Sequence, residues 1–195
     1  MNQTDQIKKI EHEKIVNGVN VTKLFGIVTA IQENPTVAKF NFRAKGKWIR
    51  GGHNSTTIQD FYGAGQTHDR AEPFVFETDE PPVLLGDNQG ANPVEYALAA
   101  LNSCLTTTLI YHAAAQGIKI DELESTLSGD IDLRGFLGMD ESVRNGYERI
   151  NVTFRIKSDV PEGKLVELVE LTQKRSPLFD IISHPTPVQV RLEKK

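Results

Sequence analysis

Cysteine occurs once in this 195-residue chain, at position 104. A single thiol excludes an intramolecular disulfide, and with it a small secreted scaffold that depends on covalent staples. An excess of one charge is also missing: 22 Lys+Arg against 26 Asp+Glu leave a net charge of −4. That is not the balance of a nucleic-acid partner or of a protein drawn to an anionic membrane. The charged opening MNQTDQIKKIEHEK has no apolar core, so no signal peptide is expected. The only long apolar stretch, Tyr96–Ala115, is interrupted by Asn102, Ser103, three threonines and His112, which excludes a comfortable membrane span. GxGxxG, P-loop, HExxH and CxxC patterns are absent. The histidines (12, 53, 68, 112 and 184) form no pair at metal-ligand spacing, so neither a metal nor a cofactor is expected. Together these absences predict a soluble cytoplasmic protein without nucleic-acid or membrane partners.

What is present is a folded α+β pattern. Residues 4–16 carry Ile7, Ile10, Ile15 and Val16 among charges, a weak amphipathic helix in an arm that covers 1–30, with one domain over 31–195. Residues 21–31 are apolar and fit helix or strand equally. From Thr36 the period changes to two, which predicts a strand, a Lys45-Gly46 turn and a return strand around Trp48. HNSTTIQDFYG and PFVFETD read as further strands, then LESTLSGDIDLRG, with alternation at Leu127, Ile131 and Leu133, and YERINVTFRIKSD after a long helix. Pro161 opens a second helix that Ser176-Pro177 interrupts, LFDIIS adds a helical turn, and TPVQVRLE closes as a strand. Strands grouped around two helices argue α+β, not an alternating parallel fold.

The long helix, NPVEYALAALNSCLTTTLIYHAAAQG, has clear ends. Asn92 is a natural N-cap, Pro93 fits the first position, Glu95 falls where its carboxylate reaches back to the cap amide, and Gly117 is a stop. Its small residues predict burial on most sides, inside the fold or between subunits. Cys104 lies near its middle and has two readings: a small buried hydrophobe, or a reactive thiol. It is about three turns from the N-terminus, where the helix dipole has faded. Reactivity would therefore need a cation from elsewhere, with Arg43, Arg50, His53 and Arg70 as candidates. Glu95 is either the capping carboxylate alone or also the holder of an active-site arginine.

The run N-P-x-E-x-x-x-A-A-L-x-S-C-L, a helix ending A-A-x-G-I, a second helix ending S-P and a terminal P-V-x-V strand together resemble the OsmC/Ohr family over about residues 36–192. The resemblance implies antiparallel sheets around two central helices in an intertwined homodimer. It also implies thiol-dependent reduction of organic hydroperoxides, linked to the oxidative stress response. Cys104 stands at the attacking position. Arg50 or Arg43 is the best match for the activating arginine, and Glu95 for the glutamate that holds it. Two positions depart from the family: Ser176 occupies the place of the resolving cysteine, and Val94 follows Asn-Pro where the peroxidase branch has its glutamate. With Glu95 one residue later, the pattern resembles the OsmC-like branch instead, and the missing resolving cysteine implies turnover through an external thiol reductant or a disulfide between chains. The alternative is a non-catalytic protein that holds a small apolar ligand in the dimer-interface pocket.

Overall fold

A computed structural model describes residues 13–194, so residues 4–12 of the expected N-terminal helix lie outside the described residues. Where the description begins, Ile15–Val16 (β1) and Val19–Asn20 (β2) form a tight antiparallel hairpin, not helix. The undecided segment is helix: Val21–Glu33 (α1), with Asn20 as its N-cap accepting from the Lys23 amide at 2.9 Å. Asn34-Pro35 ends it, because the proline disfavours helical geometry at the residue before it.

The N-terminal sheet follows, with strands Asn41–Phe42 (β3), Lys45–Arg50 (β4), His53–Gly63 (β5) and Gln66–Thr78 (β6). β5 is its spine: β6 pairs along one edge, while β3 and β4 share the other. Two expectations are corrected here. Residues 35–38 form a 3₁₀ turn instead of strand, and Lys45-Gly46 lies inside β4. The turn is Gly51-Gly52, where Gly51 takes φ +49° and Arg50 faces His53. A strand interior accepts a glycine without turning, so the dipeptide alone misplaces the bend. The β5–β6 turn has positive φ at both Ala64 and Gly65, the twist that two-residue hairpins favour.

Asp79 organises the segment between this sheet and the long helix. Its carboxylate is almost fully buried and accepts the amides of Glu80 (2.8 Å), Asp87 (3.0 Å) and Gln89 (3.2 Å). Burial alone would raise its pKa, but these backbone donors outweigh that and hold it below the usual carboxylate value. The loop closes so tightly that a Cβ on Gly90 would sit 2.0 Å from the Glu77 carbonyl oxygen.

The loop delivers Asn92, and Pro93–Ala115 (α2) starts with the expected reciprocal cap: the Asn92 side chain accepts from the Val94 amide at 2.9 Å, and the Asn92 amide donates to Glu95 at 2.8 Å. Gly117 ends the helix at φ +72°. Leu101, Leu105, Leu109 and Ala113, spaced by four, form its buried stripe. Each fully buried leucine contributes about 2 kcal/mol of hydrophobic stabilisation. The antiparallel hairpin Glu122–Asp130 (β7) and Arg149–Lys157 (β8) covers that stripe with alternate residues such as Leu123, Phe154 and Ile156. Leu168 of Glu162–Arg175 (α4) closes the core from the other side. A one-turn helix, Leu133–Phe136 (α3), interrupts the β7–β8 connection.

Burial of α2 is one-sided within the chain. Ala99, Ala100, Ser103 and Thr107 remain exposed along the opposite stripe. The last segment also departs from expectation. Residues 185–194 join no ladder, and Val188, Val190 and Leu192 are 80%, 92% and 93% exposed. The alternation of a strand is there, but a strand needs a neighbour, and none among the described residues pairs with it.

Candidate functional site around Cys104

Pro177 shapes the site before any side chain does. It forces Ser176 into extended geometry (φ −73°, ψ 118°), ends α4, and starts a short helix, Pro177–Ser183 (α5). The chain bends back over the middle of α2. Ser176 is buried at 1% exposure, and its hydroxyl caps α5 by accepting from the Phe179 amide at 3.3 Å.

The same hydroxyl donates to Cys104 Sγ at 3.2 Å, and the Leu178 amide donates to that sulfur at 3.5 Å. Cys104 as a residue is half-buried. Nearby, Asn102 Oδ1 accepts from Ser125 of β7 at 2.5 Å, which fixes the rotation of α2 against the hairpin.

The remaining expected residues are not brought to the thiol within one chain. Glu95 is held by its cap and lies nine residues before Cys104, about 14 Å along the helix at about 1.5 Å per residue. It does act on Tyr147, whose hydroxyl donates to the Val94 carbonyl at 2.9 Å. Burial, then the negative charge of Glu95, raises the phenol's pKa. Arg43 pairs with Asp60 beside β3, and Arg50 pairs with Asp87 at 2.5 Å on the far side of β4. His53 pairs with Glu77 at 2.8 Å, and Arg70 lies over the rings of Phe61 and Phe74. Among the described residues no cationic side chain donates to Cys104 Sγ. The Leu178 amide was not foreseeable, because a backbone donor carries no sequence signal.

A second feature went unread in the sequence. A cavity of about 800 Å³ lies beyond Leu101 and Phe179, walled by β8, α5, the end of the β7–β8 connection and the tail residues Pro185, Thr186 and Val188. Leu101 is one turn before Cys104 on α2, and the Phe179 amide caps onto Ser176, so cavity and thiol share a wall.

A sequence search among curated proteins matches none of them. Structural comparison does find relatives. An OsmC-like protein from Mycoplasma pneumoniae superposes with a TM-score of 0.55 at 17% identity, covering 73% of this chain and 87% of that one. An organic hydroperoxide resistance protein OsmC from Legionella pneumophila gives 0.51 at 17% identity, over 73% of this chain and 88% of that one. An OsmC-like protein of unknown function from Vibrio cholerae gives 0.51 at 15% identity, over 72% and 92%. At such identities the likeness is one of fold. The family described as OsmC-like protein matches residues 86–191, more than half of the chain and the part that carries α2, the β7–β8 hairpin, α4 and α5. The chain belongs to the OsmC-like protein family.

Proposed function

We propose that the chain is a thiol-dependent organic hydroperoxide reductase that acts as a homodimer in the cytoplasm and relies on an external thiol. The observation that carries this reading is the pairing of Cys104 Sγ with the Ser176 hydroxyl at 3.2 Å. A sulfur on a half-buried residue meets a buried donor at the position where a resolving thiol would stand. The Cys104 thiolate attacks the terminal oxygen of R–O–O–H. The O–O bond breaks, sulfur is oxidised by two electrons to a sulfenic acid, and RO⁻ takes a proton to leave as the alcohol. Ser176 cannot supply the second thiol. An external thiolate attacks the sulfenic sulfur, the S–O bond breaks with loss of water, and a second external thiol releases Cys104 as the external pair leaves as a disulfide.

Three features support a homodimer. The open stripe of α2 is built from small residues, which let two helices approach closely. Phe42 and Trp48 of the N-terminal sheet are 71% and 70% exposed, and the alternating tail lacks a ladder. In this reading the cation for Cys104, with Arg50 and Arg43 as the candidates, comes from the partner's N-terminal sheet, and Glu95 restrains it. The test is stoichiometric cumene hydroperoxide followed by intact mass. One added oxygen on the wild type, removed by a small thiol and absent from Cys104→Ser, is expected. An unmodified native Cys104 beside a reactive denatured control refutes the reading.

A further inference from the structure

We infer that the open groove between β8 and α4 is the docking site of this chain's own N-terminal arm, with Ile7 and Ile10 seated in it. The inference is independent of the proposed reductase activity. The groove encloses about 560 Å³ and is lined by Phe154, Ile156, Val160, Leu165, Val166 and Val169. Five of these six are only half-buried, and Val166 is 50% exposed. Four of them, Phe154, Ile156, Val160 and Val169, also pack on the core cluster of Leu109, Ala113, Ile118 and Leu168. A contiguous apolar trough that opens on the core marks an interaction site.

The path of the chain says what covers it. α4 runs antiparallel to α2: Ser176 at its end meets Cys104, and Leu168, about two turns earlier, meets Leu109 and Ala113. The first turns of α4, with Leu165 and Val166, therefore lie beside the end of α2. The arm joins the described fold at that same end. Lys14 Nζ lies 3.9 Å from where a Cβ on Gly117 would sit, and Asn17 bridges the Ile118 carbonyl and the Ile120 amide. Residues 119–121 are tied in turn to the end of β8. The Ser158 hydroxyl donates to the Lys119 carbonyl at 2.6 Å, and the Asp121 amide donates to the Lys157 carbonyl at 2.8 Å. Along α4 the groove runs from Glu162 to Glu170, about 12 Å at about 1.5 Å per residue. Residues 1–12 reach about 40 Å when extended and about 18 Å as helix, and either length covers it.

The arm also has the matching chemistry. On the helix that the sequence predicts there, Ile7 and Ile10 share a face, with Lys8 and Lys9 to either side; Asp5 and Glu11 lie outside this run. Glu162 and Glu170 line the two ends of the groove, and among the described residues neither is ion-paired. The neighbouring lysines are engaged elsewhere: Lys164 with Glu167 at 2.6 Å, Lys157 with Glu122 at 2.5 Å and Lys119 with Asp121 at 2.5 Å. Exposed ion pairs contribute little, so the two isoleucines supply most of the attraction and the lysines set the register. So seated, the arm clamps the first turns of α4, the helix whose far end delivers Ser176 to Cys104.

The test uses the full chain with Cys104→Ser, so that an introduced cysteine is the only thiol. Val166→Cys should be alkylated slowly. Ile7→Asp with Ile10→Asp should speed that reaction about tenfold or more, at unchanged circular dichroism. Glu162→Lys with Glu170→Lys should speed it about threefold, and adding Lys8→Glu with Lys9→Glu should return it toward the starting rate. Ile10→Cys with Val166→Cys should oxidise to a disulfide within one chain. Equal alkylation with the isoleucine and aspartate arms overturns the inference. A charge-swapped chain as fast as the singly reversed one overturns it as well. So does a disulfide formed only between chains, which would give the groove to another copy's arm. Two thiols left free after oxidation, in a folded protein, overturn it too. None of these readouts uses Cys104, so the inference stands or falls apart from the reductase reading.

Discussion

Ser176→Cys puts a second thiol where the hydroxyl now meets Cys104, and the outcome can be worked from the structure. The present contact is 3.2 Å and a disulfide needs about 2.05 Å, so the two side chains must close by a little over 1 Å. The longer C–S bond of the new residue and a small side-chain rotation supply that movement. In the reduced state the larger sulfur in a nearly fully buried position should cost about 1 kcal/mol by overpacking. Oxidation reverses the sign. The bridge would join residues 72 apart, and restricting a loop of that length in the unfolded chain stabilises the fold by up to about 4 kcal/mol. For a chain of this size that is a rise in melting temperature of about 8–16 °C between reduced and oxidised protein. The assay is a mild thiol oxidant, native thiol titration, intact mass and a thermal scan. Two free thiols after oxidation, in a variant that retains native circular dichroism, would show that α5 does not lie against the middle of α2.

Further perturbations probe the frame around the site. Asp79→Asn should loosen the segment before α2, seen as faster amide exchange at Asp87 and Gln89. Because the folded-state pKa of Asp79 is lowered, its contribution is present above the unfolded value of about 3.9 and is lost as pH falls through the lower folded value. Protection of these amides in the wild type, taken relative to their intrinsic exchange at each pH, should therefore fall only in acid, and equal protection at neutral pH in both proteins refutes the clamp. Asn17 takes φ +51° and bridges the Ile118 carbonyl (2.8 Å) and the Ile120 amide (2.9 Å), so Asn17→Ala should cost about 1–3 kcal/mol. Limited proteolysis should then cut within residues 13–33 first. Leu168→Ala empties the contact between α4 and α2 and should lower stability by about 2–5 kcal/mol in urea unfolding, with Cys104 alkylation accelerated.

Legibility in the sequence followed the range of the interaction. The start of α2 was readable because a cap is settled within four residues: Asn92 and Glu95 need only each other's amides. Period-two alternation found β7, although it carried the strand reading on through Ile131 and Leu133, where the chain leaves the sheet and turns into α3. The bend at Gly51-Gly52 was displaced to Lys45-Gly46, since a glycine permits a turn and strand pairing decides whether one occurs. The tail has a strand's pattern without a ladder, because pairing is a property of two segments. Nothing in the spacing of 104 and 176 shows that their side chains touch; only the resemblance placed them together.

The hydroxyl of Ser176 has one further consequence. A sulfur beside a second sulfur can shed an oxidation by a short internal movement, at a rate the fold alone determines. A sulfur beside an alcohol has no such exit, and this chain contains no other cysteine. Whatever Cys104 acquires stays until another molecule removes it. In the reading proposed above, the persistence of the modified state would thus measure the supply of that molecule in the surroundings, and the chain would record its chemical neighbourhood as well as act on it.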